Sequence, residues 1–233
     1  MPIDQLDTVE RYLLLLLYAP DHTDVFARPV RGRTWLQKEM FLLSKLTGEL
    51  EEKTEYDPNI MGSYSRIVDE VEDQFYISEY EERIGDSMKL SLEGKKLAEE
   101  VWLKADDREK RIVAGVKTLL NDMTQLELLG FIYTEYPETA VNSDRKAEVE
   151  AKRLEIAINL FQKGKVPLNK AAQVAKQSTE VFLQELKKRG VDLSEIETKN
   201  VLLDRALLEE IEQSKDESKR GQLVPWEAIR NSP

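Results

Sequence analysis

Apolar residues recur at helical spacing through most of this chain, and the places where that period fails define its organisation. The run "YLLLLLYAP", Tyr12 to Pro20, follows Asp4 and Asp7, which can cap a helix continuing to Tyr18. It predicts a buried first helix, the alternative being an exposed apolar stripe used for dimerisation. "PDHTDVFARPVRG" then breaks the pattern with two prolines. A second helix is predicted from Thr34, as N-cap, to Leu46, with Trp35, Leu36, Met40, Leu43 and Leu46 at helical spacing and Gly48 ending it. "YDPNIMGSYS" reads as a loop, and Ser63 or Ser65 starts a third helix through Gln74. The period next switches to two. "FYISEYEERIGDSMKLSLEG" alternates around Gly85-Asp86, the mark of a β-hairpin, and a helix follows from Leu92 through Trp102. Three helices followed by a hairpin is the element order of a winged helix.

Beyond the hairpin everything reads as helix. Residues 107 to 137 give one or two helices, with Ile112, Val113, Val116, Leu119 and Leu120 on one face. The short polar stretch "TAVNSDRK", 139 to 146, is the candidate domain boundary. A helix over 145 to 163 ends at Gly164, and Pro167 introduces two short helices, 168 to 175 and 179 to 189, closed by Gly190. A further helix runs from about 199 to 214 and leads into a charged tail. The fold class expected is mainly α, a winged helix followed by an all-helical helix-turn-helix domain. Its divisions are 1–104, connecting helices 105–144, the helix-turn-helix 145–195, and a C-terminal helix and partner-binding tail 196–233.

Charge changes the picture because it is uneven. The chain of 233 residues carries a formal net charge of -11 with 34% charged residues, yet residues 28 to 45 are locally +4 and residues 151 to 190 locally +6. Residues 49 to 110 are locally -10. Any contact with a polyanion therefore has to be local. One basic island contains Arg28, Arg31 and Arg33. The other contains "LNKAAQVAKQSTEVFLQELKKRG", Leu168 to Gly190. There Ala171 and Ala172 are small where two helices cross, and Ser178 and Thr179 are N-cap types. Val181, Phe182, Leu183 and Leu186 form the expected buried side of the second helix, leaving Thr179, Glu180, Gln184, Lys187 and Lys188 outside. By pattern alone the segment is either a DNA contact or a structural hairpin. Its lysines come late, where they reach phosphates rather than bases.

Other chemistry is sparse. With no cysteine, disulfides, thiolate metal sites and cysteine nucleophiles are excluded. His22, the one histidine, sits in a loop as an incidental residue. There is no glycine-rich phosphate loop, nucleophile elbow or spaced metal set, so no enzyme, cofactor or metal is expected. No secretory signal or membrane span is expected either, the Tyr12–Pro20 run being far short of the ~20 residues a span requires. The expected location is cytoplasmic.

Three resemblances rest on particular residues. "AINLFQKGKVPLNKAAQVAKQSTEVFLQELKKRGVDL", Ala157 to Leu193, resembles a short prokaryotic antitoxin-like family. That family's helices are taken as a helix-turn-helix, which implies Ser178, Thr179 and Gln184 as DNA contacts here, while Lys170, Lys187 and Lys188 of the basic segment are the candidates for phosphates. "ALLEEIEQSKDESKRGQLVPWEAIRN" is similar to the toxin-wrapping end of small antitoxins and implies Leu223, Val224 and Trp226 as partner anchors. "RGRTWLQKEMFLL" with "YDPNIMGSYSRIVDEVED" resembles winged-helix domains of archaeal and phage-associated proteins, including the Panacea antitoxin group. Its third helix, however, shows Asp69, Glu70, Glu72 and Asp73 against one Arg66. These resemblances imply a homodimeric DNA-binding regulator or antitoxin-like protein. The alternative is a non-enzymatic adaptor that uses the same folds to hold a toxin, another copy of itself or a ribonucleoprotein such as the ribosome.

Overall fold

The structure, a computed structural model, describes residues 3–21, 23–191 and 205–220. It is mainly helical, with two small two-stranded sheets among the described residues. Two compact units divide the chain. One takes the residues up to Asp57, Tyr64–Asp122 and the last described helix from Arg205; the other takes Pro58–Ser63 and Met123–Asp204. The 139–146 stretch, where the sequence suggests a boundary, lies within the second unit.

The first unit is built around α1 (Thr8–Tyr18), which Asp7 and Glu10 cap reciprocally in a capping box. Tyr12 through Leu17 are all buried, so the apolar run is core on every side and not an exposed stripe. Against it pack α2 (Arg33–Leu46), α3 (Gly48–Thr54), α4 (Arg66–Ile77), α5 (Leu92–Lys104) and α6 (Asp107–Leu120). Sequence reading misses α3, because Leu50 is the only apolar residue among its seven and a single one sets no pattern. It also misassigns the start of α2, where Gly32 stands at the cap and no side chain bonds the first turn. The third helix begins as expected: the Ser65 hydroxyl accepts from the Val68 amide.

β1 (Asp57–Asn59) and β2 (Gly62–Tyr64) are short strands inside the stretch read as a loop. The hairpin forms where alternation places it, with β3 (Glu81–Ile84) antiparallel to β4 (Ser87–Leu90) around Gly85-Asp86. Val30, in the segment between α1 and α2, bridges Met88 through two backbone bonds of 2.9 and 2.8 Å.

Burying α1 strands its last carbonyls, and a lysine meets them. Lys117 Nζ donates to the carbonyls of Leu17 and Ala19 at 3.0 Å each. Desolvation pushes Lys117 down to about 8, offset in part by the buried Glu39, and pushes Glu39 up to about 8. The helix α12 (Arg205–Arg220) closes this unit on α2 and α6 by burying Leu207 and Ile211. Arg111 holds Glu210 at 2.7 Å, and the Ser214 hydroxyl donates to the Lys45 carbonyl.

The second unit runs α7 (Gln125–Glu135), a 3-10 turn (Pro137–Ala140), α8 (Lys146–Ala151), α9 (Arg153–Gln162), α10 (Leu168–Val174) and α11 (Thr179–Lys188). Residues 145 to 163 are two helices rather than the single one predicted. At Lys152 the backbone opens to φ -108° and ψ 10°, and its amide is shared between the Glu148 and Val149 carbonyls. The break lets Arg153 turn inward. α7 lies along α9 and α10, and it approaches α9 closely at Gly130: a Cβ there would come within 2.8 Å of Ile156 Cγ2. Among the described residues, no helix is long and apolar enough to cross a membrane.

Candidate nucleic-acid interface

The helix-turn-helix candidate rests on three helix ends made the same way. After α9, Gly164 takes φ 65°, with its own amide on the Phe161 carbonyl and the Lys165 amide on the Leu160 carbonyl. After α11, Gly190 takes φ 68° with the matching pair of bonds to Lys187 and Leu186. After α10 the same Schellman geometry recurs, with the Gln177 amide on the Ala172 carbonyl at 3.0 Å, but the left-handed residue is Lys176 at φ 54°. Four residues, Ala175 to Ser178, then join α10 to α11. Ala171 and Ala172 are buried where α10 packs on α9, and Phe182 meets the edge of Phe161 at 6.3 Å. These contacts form a rigid frame for α11.

On α11 only Phe182 and Leu186 are fully buried. Val181 is 49% exposed and Leu183 half-buried, so the buried side is narrower than the sequence suggests. Glu180, Val181, Gln184, Lys187 and Lys188 are all exposed. Their spacing of 0, 1, 4, 7 and 8 puts them on a single stripe. Thr179 falls instead on the side shared with Phe182 and Leu186 and is half-buried. Ser178 caps the helix: its hydroxyl accepts from the Val181 amide at 3.3 Å. The Glu180 carboxylate is held below its ordinary value by its own backbone amide and then by the Ser178 hydroxyl, so it is ionised at neutral pH. The stripe therefore starts negative and ends positive. Among the described residues Lys187 has no ion pair, while Lys188 stands 3.9 Å from Glu185, which also holds Arg189 at 2.9 Å.

The remaining predicted contacts are placed differently. Lys170 is not on the surface: its Nζ lies 3.0 Å from Glu135 Oε1 and 3.1 Å from Oε2, with side chains only 6% and 1% exposed. That removes it from the set of groups that can meet a phosphate. The three arginines of the first unit all have partners there. Arg28 pairs with Asp21 at 2.8 Å. Arg31 stacks on Trp35 at 5.2 Å and reaches the Asp122 carbonyl at 3.4 Å. Arg33 pairs with Asp69 at 3.1 Å, with Glu72 at 3.0 Å, and with Asp73. Leu223, Val224, Trp226 and His22 lie outside the described residues.

Acidic groups that a sequence window cannot see quench most of the basic island. Glu127 holds Lys163 at 2.6 Å, Glu135 holds Lys170, Glu148 holds Lys152 at 3.1 Å, and Glu150 holds Arg153 at 2.7 Å and Lys176 at 2.9 Å. All four precede residue 151. The net +6 of residues 151 to 190 thus shrinks to a patch around the end of α11.

Three comparisons bear on this region. The sequence pattern of UPF0175, an uncharacterised protein family, matches residues 132–210, from within α7 to within α12. A "UPF0175 protein" of Archaeoglobus fulgidus is 43% identical over 56 residues, 24% of this chain. The chain spans 63% of that relative's length. No solved structure matches.

Proposed function

We propose that the protein is a non-enzymatic, cytoplasmic, homodimeric DNA-binding regulator of the antitoxin-like kind, in which α11 meets the DNA. The observation that carries this is the α11 stripe: Gln184, Lys187 and Lys188 exposed together on a helix whose other side is locked by Phe182 and Leu186. The match of residues 132–210 to UPF0175 supports treating the end of α7 through α11 as one inherited module. Lys187 and Lys188 serve as phosphate contacts, which set affinity and salt dependence, while Gln184 is the group suited to a base edge. Glu180 restricts the first turn of α11 to a partner that presents a donor, such as a cytosine amino group.

The first unit supplies a winged helix in this reading. Its order of α1, the Val30 bridge, α2, α4 and the β3–β4 hairpin supports that, as does Val30 pairing with the hairpin strand. Its α4 is a poor DNA reader, because Arg33 is absorbed by Asp69, Glu72 and Asp73. Those acids favour a protein or second copy as the partner of this unit, which is also how the adaptor reading would account for it.

Binding of the full chain to duplex DNA from its own upstream region, followed by fluorescence anisotropy across a salt series, tests the proposal. Lys187→Glu/Lys188→Glu should weaken binding by on the order of tenfold or more and flatten the salt slope by about two counterions. No binding at low salt, or equal binding by the double variant, would defeat it.

A further inference from the structure

Lys176 occupies a backbone position that suits glycine. Its φ of 54° is in the left-handed region, which a β-carbon disfavours. Its side chain is exposed on the turn between α10 and α11. That side chain reaches a groove of about 570 Å³ within the second unit, lined by Tyr133, Pro137, Ala140, Lys146, Glu150 and Lys176, with Gln173 and Arg153 also on its wall. This volume falls within the range of small-molecule sites.

The polar groups of the groove divide into spent and available ones. Arg153 is spent: its Nε and Nη2 grip Glu150 at 2.8 and 2.7 Å, and its Nη1 donates to Thr134 Oγ1 and the Val174 carbonyl. Bonds from Arg153 first, and then Lys176, hold the Glu150 carboxylate down to about 2. Lys176 gives one proton to Glu150 at 2.9 Å and keeps two. Lys146 and the Gln173 amide are exposed and have no partner among the described residues. Lys146, Arg153 and Lys176 line the groove with a single carboxylate, Glu150, leaving an excess of two positive charges among its lining residues. Pro137, Ala140 and Tyr133, whose hydroxyl is tied to Ser143 Oγ at 2.6 Å, also line it. The lining thus combines cationic and apolar groups.

We propose that this groove binds a phosphate monoester carrying a small flat or apolar group, with Lys146, Lys176 and Gln173 on the phosphate and Tyr133, Pro137 and Ala140 on the remainder. A dianionic phosphate matches the excess charge, and its three terminal oxygens match the three free donor groups. Glu150 fixes the Lys176 head while the groove is empty and releases it to the incoming oxyanion. This site uses neither Gln184, Lys187 nor Lys188, and so stands independently of the DNA reading.

The test is calorimetric titration of the full chain with adenosine monophosphate, inorganic phosphate and adenosine at low salt. Adenosine monophosphate should bind more tightly than phosphate, and adenosine should not bind measurably at concentrations on the order of 10 mM. Lys146→Gln/Lys176→Gln, both at exposed positions, should lose about tenfold or more in affinity, with the melting curve showing that the variant is folded. Lys187→Glu/Lys188→Glu should bind adenosine monophosphate as the unaltered chain does. Absence of phosphate-dependent binding, equal binding by the Lys146/Lys176 variant, or loss in the Lys187/Lys188 variant would each overturn the proposal.

Discussion

Replacing Lys170 with alanine separates a buried ion pair from a DNA contact, because the two roles predict opposite results. In the structure Lys170 on α10 and Glu135 at the end of α7 are both removed from solvent, their charged atoms 3.0 and 3.1 Å apart. Lys170→Ala removes a cation that the Glu135 carboxylate holds in a site of low polarity, a change that costs up to roughly 3–5 kcal/mol. For a chain of this length, where each kcal/mol moves the midpoint by about 2–4 °C, the melting temperature should fall by up to roughly 6–20 °C. Removing both charges together, as Lys170→Met/Glu135→Leu, should recover most of that loss, since well-packed apolar pairs replace buried ion pairs at little cost. The assay is thermal unfolding followed by circular dichroism, paired with DNA anisotropy on the double variant. Full stability in Lys170→Ala together with weakened DNA binding in Lys170→Met/Glu135→Leu would refute the buried placement and return Lys170 to the surface.

Two further outcomes follow from local chemistry. Burial, reinforced by the neighbouring Glu72 carboxylate, pushes Glu81 up to about 8. The folded chain therefore holds an extra proton between 4.5 and about 8, and this contribution to stability is lost as pH rises through that window. Glu81→Gln, which keeps a donor for Glu72 and cannot ionise, should match the unaltered chain near about pH 5 and exceed it near about pH 9 in urea midpoint. An offset that is the same at both pH values would count against the shared proton. Ser178→Ala removes the cap that receives the Val181 amide and should cost about 1 kcal/mol in the same unfolding measurement. A larger loss of DNA affinity than of stability there would mean that Ser178 also touches the nucleic acid.

Periodicity made the elements legible, and long-range pairing is what it could not convey. The hairpin around Gly85-Asp86 and the helix capped by Ser65 follow from short-range rules, since the turn and the cap bonds close within a few residues. The break at Lys152 does not, because it reflects Arg153 turning toward Glu150, Thr134 and the Val174 carbonyl, groups spread across 41 positions. The same limit governed the site. Gln184, Lys187 and Lys188 were visible as the polar face of an amphipathic helix, and they are exposed. Lys170 was not recognisable as buried, because its partner Glu135 lies 35 residues earlier. Arg33 looked free for the same reason, its acids Asp69, Glu72 and Asp73 being on α4. A signal for the groove was present in "AKQS", where the turn ahead of Ser178 carries a lysine in place of the glycine that closes the other two helices.

The closure of the first unit by α12 also sets a timetable for synthesis. Leu207 and Ile211 leave the ribosome only after the whole of α7 to α11, so the first unit waits for the second to be made before its last apolar face is covered. The second unit in turn includes Pro58–Ser63, delivered early, with the Asn142 side-chain amide reaching the Pro58 carbonyl at 3.0 Å. Each unit is completed by a segment lying beyond the other in the chain, so no single cut yields either one whole. Shortened versions made to study one unit must therefore carry two pieces, and a chain that stalls between residues 191 and 205 presents an unfinished first core to the folding machinery.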